Sequence, residues 1–176
     1  MTGYITVCYS DQTSEIFKRG VMKIKDGKRT EYQIYGSVAD MTENKDYYVK
    51  PDPNFENWIY SKCHKSLRKK LNPKDILFFR TRWHNEQYFI GYFVILSKSD
   101  DELNPICYAD RKSSLLINGY KCRITPALVE TIIPGTNFSC YPNKKRFITN
   151  KLSRNYLMLT DEKTYFLKKL LDSFRK

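Results

Sequence analysis

Residues 75–96 read DILFFRTRWHNEQYFIGYFVIL. Asp75–Thr81 and Gln87–Leu96 are dense in β-branched and aromatic residues, a composition that predicts two strands. Their hydrophobicity is nearly continuous, which suggests central strands. Gly91 interrupts the second and predicts a bend or bulge, as where a closed barrel turns a corner.

Upstream of this pair, Gly3–Tyr9 reads as a strand with Ile5 and Val7 on one face. Val21–Lys25 and Glu31–Tyr35 flank Asp26-Gly27 and predict a hairpin of uncertain register. Residues 37–57 are polar, with Pro51 and Pro53, and read as a loop. Ser61–Leu71 predicts a helix: Cys63, Leu67 and Leu71 recur every fourth position, the opposite face is basic, and Asn72-Pro73 ends it.

Downstream, Leu115–Ile117 and Tyr120–Ile124 flank Asn118-Gly119 and predict a hairpin. Ala127–Ile133 fits a strand or a short helix, and 134–150 reads as a loop. Thr160 predicts the cap of a final helix over 161–175, with Asp161 and Glu162 in its first turn. Leu167, Leu170, Leu171 and Phe174 form the apolar stripe of that helix. Many strands, few helices and no βαβ alternation predict one α+β domain over 1–176, a small curled β-barrel with helices packed at its rim.

The chain has 176 residues, 31 Lys+Arg against 19 Asp+Glu, a net charge of +12 and 15% aromatic residues. So many aromatics exclude a disordered chain. Gly and Pro number 7 each, which excludes collagen-like and low-complexity classes. The longest apolar stretch, Tyr88–Leu96, is far shorter than the ~20 residues of a membrane span. The first residues lack the basic start and long apolar segment of a signal peptide, so an intracellular protein without membrane association is expected. The five cysteines form no CxxC pair, in keeping with a reducing compartment, and Cys8, Cys107 and Cys122 are expected to be buried thiols.

The positive charge is concentrated. Residues 61–84 carry a net +7, residues 141–156 a net +5 and residues 163–176 a net +4. Such clustering suits a polyanion, because each Lys or Arg meeting a phosphate releases a condensed counterion.

Catalytic chemistry is sparsely represented. His64 and His84 have no partner at metal-site spacing, and no Gly-rich phosphate loop, GxSxG or HExxH occurs. Asp100-Asp101-Glu102 reads as a solvated turn, and adjacent Cys63 and His64 point in different directions on a helix. No catalytic residue, metal ligand or cofactor is therefore assigned. A nucleic-acid-processing enzyme with an unrecognised site, either a nuclease built from scattered carboxylates or a base-modification enzyme, and a protein-interaction module remain as alternatives.

Between Trp58 and Tyr92 the basic residues alternate with rings. Cations hold phosphates and rings stack on unpaired or flipped bases, so the pattern points to DNA or RNA. Phe78, Phe79 and Phe89 lie inside strands and belong to the core. Trp58 and Trp83 sit in polar context at the two ends of the helix–strand unit, where each could stack on a base or cap the core. Arg80 and Arg82 share a strand face and could project toward one ligand. Candidate nucleic-acid contacts are thus Trp58, Lys65, Arg68, Arg80, Arg82 and Trp83, with Lys144, Lys145 and Arg146 in the second basic stretch.

Asn57-Trp58, then His64-Lys65-Ser66-Leu67-Arg68, then Leu71-Asn-Pro-Lys-Asp75-Ile-Leu-Phe-Phe, then Tyr88-Phe-Ile-Gly91-Tyr-Phe-Val-Ile is an order that resembles the core of the PUA-like superfamily. The likeness is to its EVE and YTH-like branches and the nucleotide-modification-associated domains. Lys74 stands where that family usually has Gly before the Asp. The resemblance implies a pseudo-barrel of five or six strands with a pocket for a single base, often a modified one. It also implies Trp58 and Trp83 as pocket walls, with Lys65, Arg68, Arg80 and Arg82 holding the backbone.

Overall fold

A computed structural model describes residues 1–8, 22–25, 28–31, 53–55, 57–61, 63–83, 86–117, 119–133, 148, 152 and 156–175. The deciding pair forms as two long strands, β5 (Ile76–Trp83) and β6 (Glu86–Lys98). The other strands are β1 (Gly3–Val7), β2 (Met22–Lys25), β3 (Lys28–Glu31), β4 (Ile59–Tyr60), β7 (Cys107–Ala109), β8 (Leu115–Leu116), β9 (Cys122–Arg123) and β10 (Tyr156–Leu159). The helices are α1 (Lys65–Lys70), α2 (Pro126–Ile132) and α3 (Asp161–Asp172).

Eight strands form one mixed sheet in the order β10-β1-β5-β6-β7-β4, with β8 and β9 also on β6. β1 runs parallel to β5 and antiparallel to β10. The α+β class holds, but the expected barrel of five or six strands does not: among the described residues the edge strands β10 and β4 do not pair, so the sheet stays open. Register shifts opposite Phe79/Arg80 and at Ile95/Ser97 bend β6, curling the sheet without closing it. Gly91, paired with Phe79, borders the first shift; its φ is 143, and a Cβ there would lie 2.1 Å from the Leu115 carbonyl oxygen. Only glycine lets β8 approach β6 there.

β8 and β9 correct another expectation. They do not pair with each other as a hairpin. Gly91 and Tyr92 pair with Leu116 and Leu115, while Tyr88 and Phe89 pair with Arg123 and Cys122. Both strands lie antiparallel along one edge of β6. The small hairpin is also shifted: β3 begins at Lys28, opposite Lys25, three residues ahead of the expected Glu31. The open alternative at Ala127–Ile133 resolves as helix, with Pro126 in its first turn and the Thr125 hydroxyl accepting from Leu128 N–H at 3.2 Å. α3 starts where expected, the Thr160 hydroxyl accepting from Lys163 N–H.

Each sheet face buries its own core. Ile5, Ile76, Phe78, Phe89 and Tyr92 face α2 and α3 together with Ile148 and Leu152. Tyr4, Leu77, Phe79, Ile90 and Phe93 face α1 and the segment bearing Phe55 and Tyr60. Successive residues of β5 thus enter opposite cores, which is why its sequence shows no polar alternation. Phe79 and Phe55 each meet Phe93 edge-on, at 4.8 Å between centroids.

Candidate functional site

α1 is shorter than the expected 61–71. It begins after His64, whose φ of 45 is left-handed, and ends at Leu71, which is extended. Leu67 and Leu71 are fully buried against Phe79 and Phe93. That anchoring turns Lys65, Lys69 and Lys70 to the surface, and the helix contains no acidic residue. Lys74 extends the row in the turn that follows, exposed and at φ 75, with its N–H held by the Ile95 carbonyl at 2.8 Å. Lys98 joins from β6, its Nζ donating to the Lys69 carbonyl at 3.1 Å. Lys69 and Lys98 line a groove of about 510 Å³ with Ser99, Pro105, Asp100 and Glu102, so the row has an acidic margin on that side.

A partly exposed aromatic lies toward each edge of this face. Lys70 Nζ sits 5.3 Å above the Tyr156 ring at the start of the edge strand β10. Hydrogen bonding to Tyr156 raises the Lys70 pKa above its ordinary 10.5, so the amine stays charged at neutral pH. Trp58 directly precedes the opposite edge strand, β4, with φ 55. Its ring packs on Phe55 at 5.9 Å and on Phe93 at 5.6 Å, and part of it remains at the surface. Trp58 therefore caps the α1-side core and presents aromatic surface at once.

Two arginines expected at the surface lie inside. Arg68 is 1% exposed. Its Nε donates to the Cys63 carbonyl at 2.9 Å, Nη2 to Asn104 Oδ1 at 2.8 Å, and Nη1 to the Pro105 carbonyl. It faces inward beside Leu67 and pins α1 to the 104–105 loop, which leaves it unavailable to a phosphate. Arg80 is 7% exposed, donating to Gln87 Oε1 at 3.0 Å and to the Leu152 carbonyl. Burial pushes its guanidinium pKa down to about 10, still charged at pH 7. Arg82, two positions on, is exposed and lies opposite Gln87. The shared face of Arg80 and Arg82 is real, but it is the α3 side of the sheet and not the α1 side.

The two tryptophans stand at separate positions in the backbone, Trp58 just before β4 and Trp83 at the end of β5. Trp83 is the last residue of β5, opposite Glu86, and not a loop residue; its side chain is outside the described residues. Trp58 packs on Phe93, which is opposite Leu77. Leu77 and Trp83 are six positions apart on β5, about 20 Å at the strand rise. Lys144, Lys145 and Arg146 lie outside the described residues.

Of the residues on the α1 face, Lys65 and Trp58 were expected from the sequence as candidates; Lys69, Lys70 and Lys74 were counted only within their +7 stretch, and Lys98 and Tyr156 were not singled out. Lys69, Lys70 and Lys74 carried a signal, since they lie on the helix side opposite Leu67 or just beyond it. Lys98 and Tyr156 come from distant parts of the chain and carried none.

Cys8, Cys107 and Cys122 are buried as expected, and burial raises the Cys122 thiol pKa to about 11. Among the described residues, no group of three or more His, Cys, Asp or Glu is placed to hold a metal ion, and no helix is long and apolar enough to cross a membrane. No protein-family model and no curated protein sequence matches the chain.

Proposed function

We propose that this chain is a nucleic-acid-binding module that grips DNA or RNA phosphates with the lysines on the α1 face and stacks a base on the exposed part of Trp58. One observation carries the reading: Lys65, Lys69, Lys70, Lys74 and Lys98 gather on one sheet face, around a helix without an acid. Each such cation displaces a counterion from a phosphate backbone, and aromatic rings beside it accept unpaired bases. Arg68 and Arg80 have no contact role in this proposal.

The proposal keeps the kinship with the PUA-like superfamily. Its support is local: the turn before Asp75, where that family usually has Gly, holds Lys74 at a positive φ that glycine adopts without strain. Asp75 itself accepts from the Asn72 N–H at 2.9 Å and the Thr2 N–H at 3.0 Å, tying the turn to the N-terminal strand.

The test is fluorescence anisotropy of a labelled single-stranded oligonucleotide over a salt series, comparing the protein with a Lys65→Gln, Lys69→Gln, Lys70→Gln variant. At about 0.7 per phosphate contact on single strands, the variant's log–log salt slope falls by about 2. An unchanged slope places the contact elsewhere and overturns the proposal.

A further inference from the structure

The edge strand β10 turns apolar side chains toward the α1 face. Tyr156 lies opposite Thr6, and Met158 lies opposite Tyr4, a residue of the α1-side core. Residues two apart share a strand face, so Tyr156 and Met158 both face the α1 side. Tyr156 is half-buried against that core, and Met158 is 66% exposed. Edge strands are ordinarily blunted with charge rather than with exposed apolar side chains.

Two neighbours fix the Tyr156 ring. Tyr4 meets it edge-on, with centroids 6.2 Å apart and planes at 66°. Lys70 Nζ stands above it, 5.3 Å from the centroid. A ring held in this way loses little side-chain freedom when a flat ligand stacks on it. Lys70 is exposed, in the last turn of a helix without an acidic residue. The helix dipole and the cation–π contact account for a lysine there. They do not account for an aromatic left half open beside it. Together the two groups match what one nucleotide carries: an ammonium for the phosphate and a ring for the base.

We infer that Tyr156 is a second base-stacking contact, with Lys70 as its phosphate contact, and that the α1 face therefore takes single-stranded nucleic acid. This rests on the nucleic-acid reading above and names the form of its ligand. The Trp58 ring rests on Phe93 of β6. In the order β10-β1-β5-β6, β10 and β6 are three strand spacings apart, about 14 Å. That exceeds the ~3.4 Å rise of one nucleotide, so Tyr156 and Trp58 stack different bases of one strand. Bases inside a duplex are already paired and stacked, and cannot lie flat on either ring without being extruded.

The experiment compares the full chain with Tyr156→Leu and Tyr156→Phe by anisotropy. Three labelled DNAs of equal length serve as probes: a single strand, an abasic single strand with the same phosphates, and a duplex. Tyr156→Leu weakens binding to the single strand by about tenfold. It leaves the salt slope unchanged, because no cation is lost, and leaves abasic-strand and duplex binding as in wild type. Tyr156→Phe keeps the ring and binds as wild type does. Unchanged single-strand affinity in Tyr156→Leu overturns the inference. So does an equal loss on the abasic strand or a reduced salt slope, because Tyr156 then only positions Lys70. A wild-type chain that binds the duplex more tightly than the single strand overturns the single-strand assignment. If wild type binds none of the three at low salt, the nucleic-acid reading itself fails and takes this inference with it. If Tyr156→Leu does not fold, ultraviolet cross-linking of a 5-iodouracil-substituted single strand to the wild-type chain carries the test. Cross-links located at Tyr156 by mass spectrometry support the inference, and cross-links at Trp58 alone overturn it.

Discussion

Lys74 occupies a backbone position that suits glycine. Its φ of 75 is left-handed, its N–H is fixed to the Ile95 carbonyl at 2.8 Å, and its side chain is exposed. An L-residue in that region costs about 1–2 kcal/mol. Glycine avoids the strain but loses about 0.5–1 kcal/mol more backbone entropy on folding. Lys74→Gly is therefore expected to stabilise the chain by about 0.5–1 kcal/mol, a rise of about 2 °C in melting temperature at this chain length. Lys74→Ala separates strain from charge, since alanine removes the amine but keeps the Cβ and so the strain. Urea unfolding of the three proteins, read as midpoint shifts at constant m, gives the answer. If Lys74→Gly is no more stable than Lys74→Ala, the turn is not strained at this residue and the reasoning fails. The same change removes one cation from the α1 face, so stability rises while oligonucleotide affinity falls, the trade expected where function maintains a strained residue.

Gly91→Ala combines a positive-φ penalty of about 1–2 kcal/mol with a clash against the Leu115 carbonyl costing about 1–3 more. A loss of about 3 kcal/mol in urea unfolding is expected, and a loss below 1 would contradict the close β6–β8 approach. At the end of α3, Tyr92 donates to Asp172 Oδ1 at 2.6 Å, Lys168 pairs with Asp172 Oδ2 at 2.6 Å, and Arg175 reaches both Tyr92 and Asp172. Burial raises the Asp172 pKa, but hydrogen bonds from Lys168, Tyr92 and Arg175 outweigh it and leave the pKa below its ordinary 3.8. A carboxyl depressed on folding stabilises above that value and loses its contribution as pH falls through the folded pKa. Tyr92 is raised above 10.0, first by burial and then by its bond to Asp172, so its contribution holds below pH 10.0 and fades as pH rises beyond it. Stability–pH curves should therefore fall at both ends, and Asp172→Asn should flatten the acid limb while costing about 1 kcal/mol at neutral pH. An acid limb unchanged in Asp172→Asn would remove this network from the pH response.

The strands that fill both cores were legible because β5 and β6 are apolar at nearly every position, as burial on two faces requires. The hairpin expected at Asn118-Gly119 misled because a turn signal is local, whereas β6 extends far enough along one edge to take β7, β8 and β9 in series. α2 was ambiguous because β-branched residues favour strand, although Thr125-Pro126 already held a cap and a first-turn proline. At the site, the exposed row on α1 followed from the leucine spacing, since burying Leu67 and Leu71 leaves the lysines outside. The inward turn of Arg68 and Arg80 was hidden, because charge is visible in a sequence while the carbonyls of Pro105 and Leu152 that receive it are not. The bend beside Gly91 was legible, but the lack of closure was hidden, because closure depends on edges far apart in the chain.

Lysine acetylation footprinting by mass spectrometry, with and without a saturating oligonucleotide at low salt, tests the central claim most directly. The account predicts protection of Lys65, Lys69, Lys70, Lys74 and Lys98, with Lys163 and Lys169 of α3 reacting as before. Unchanged reactivity along the α1 face in the bound protein would contradict it.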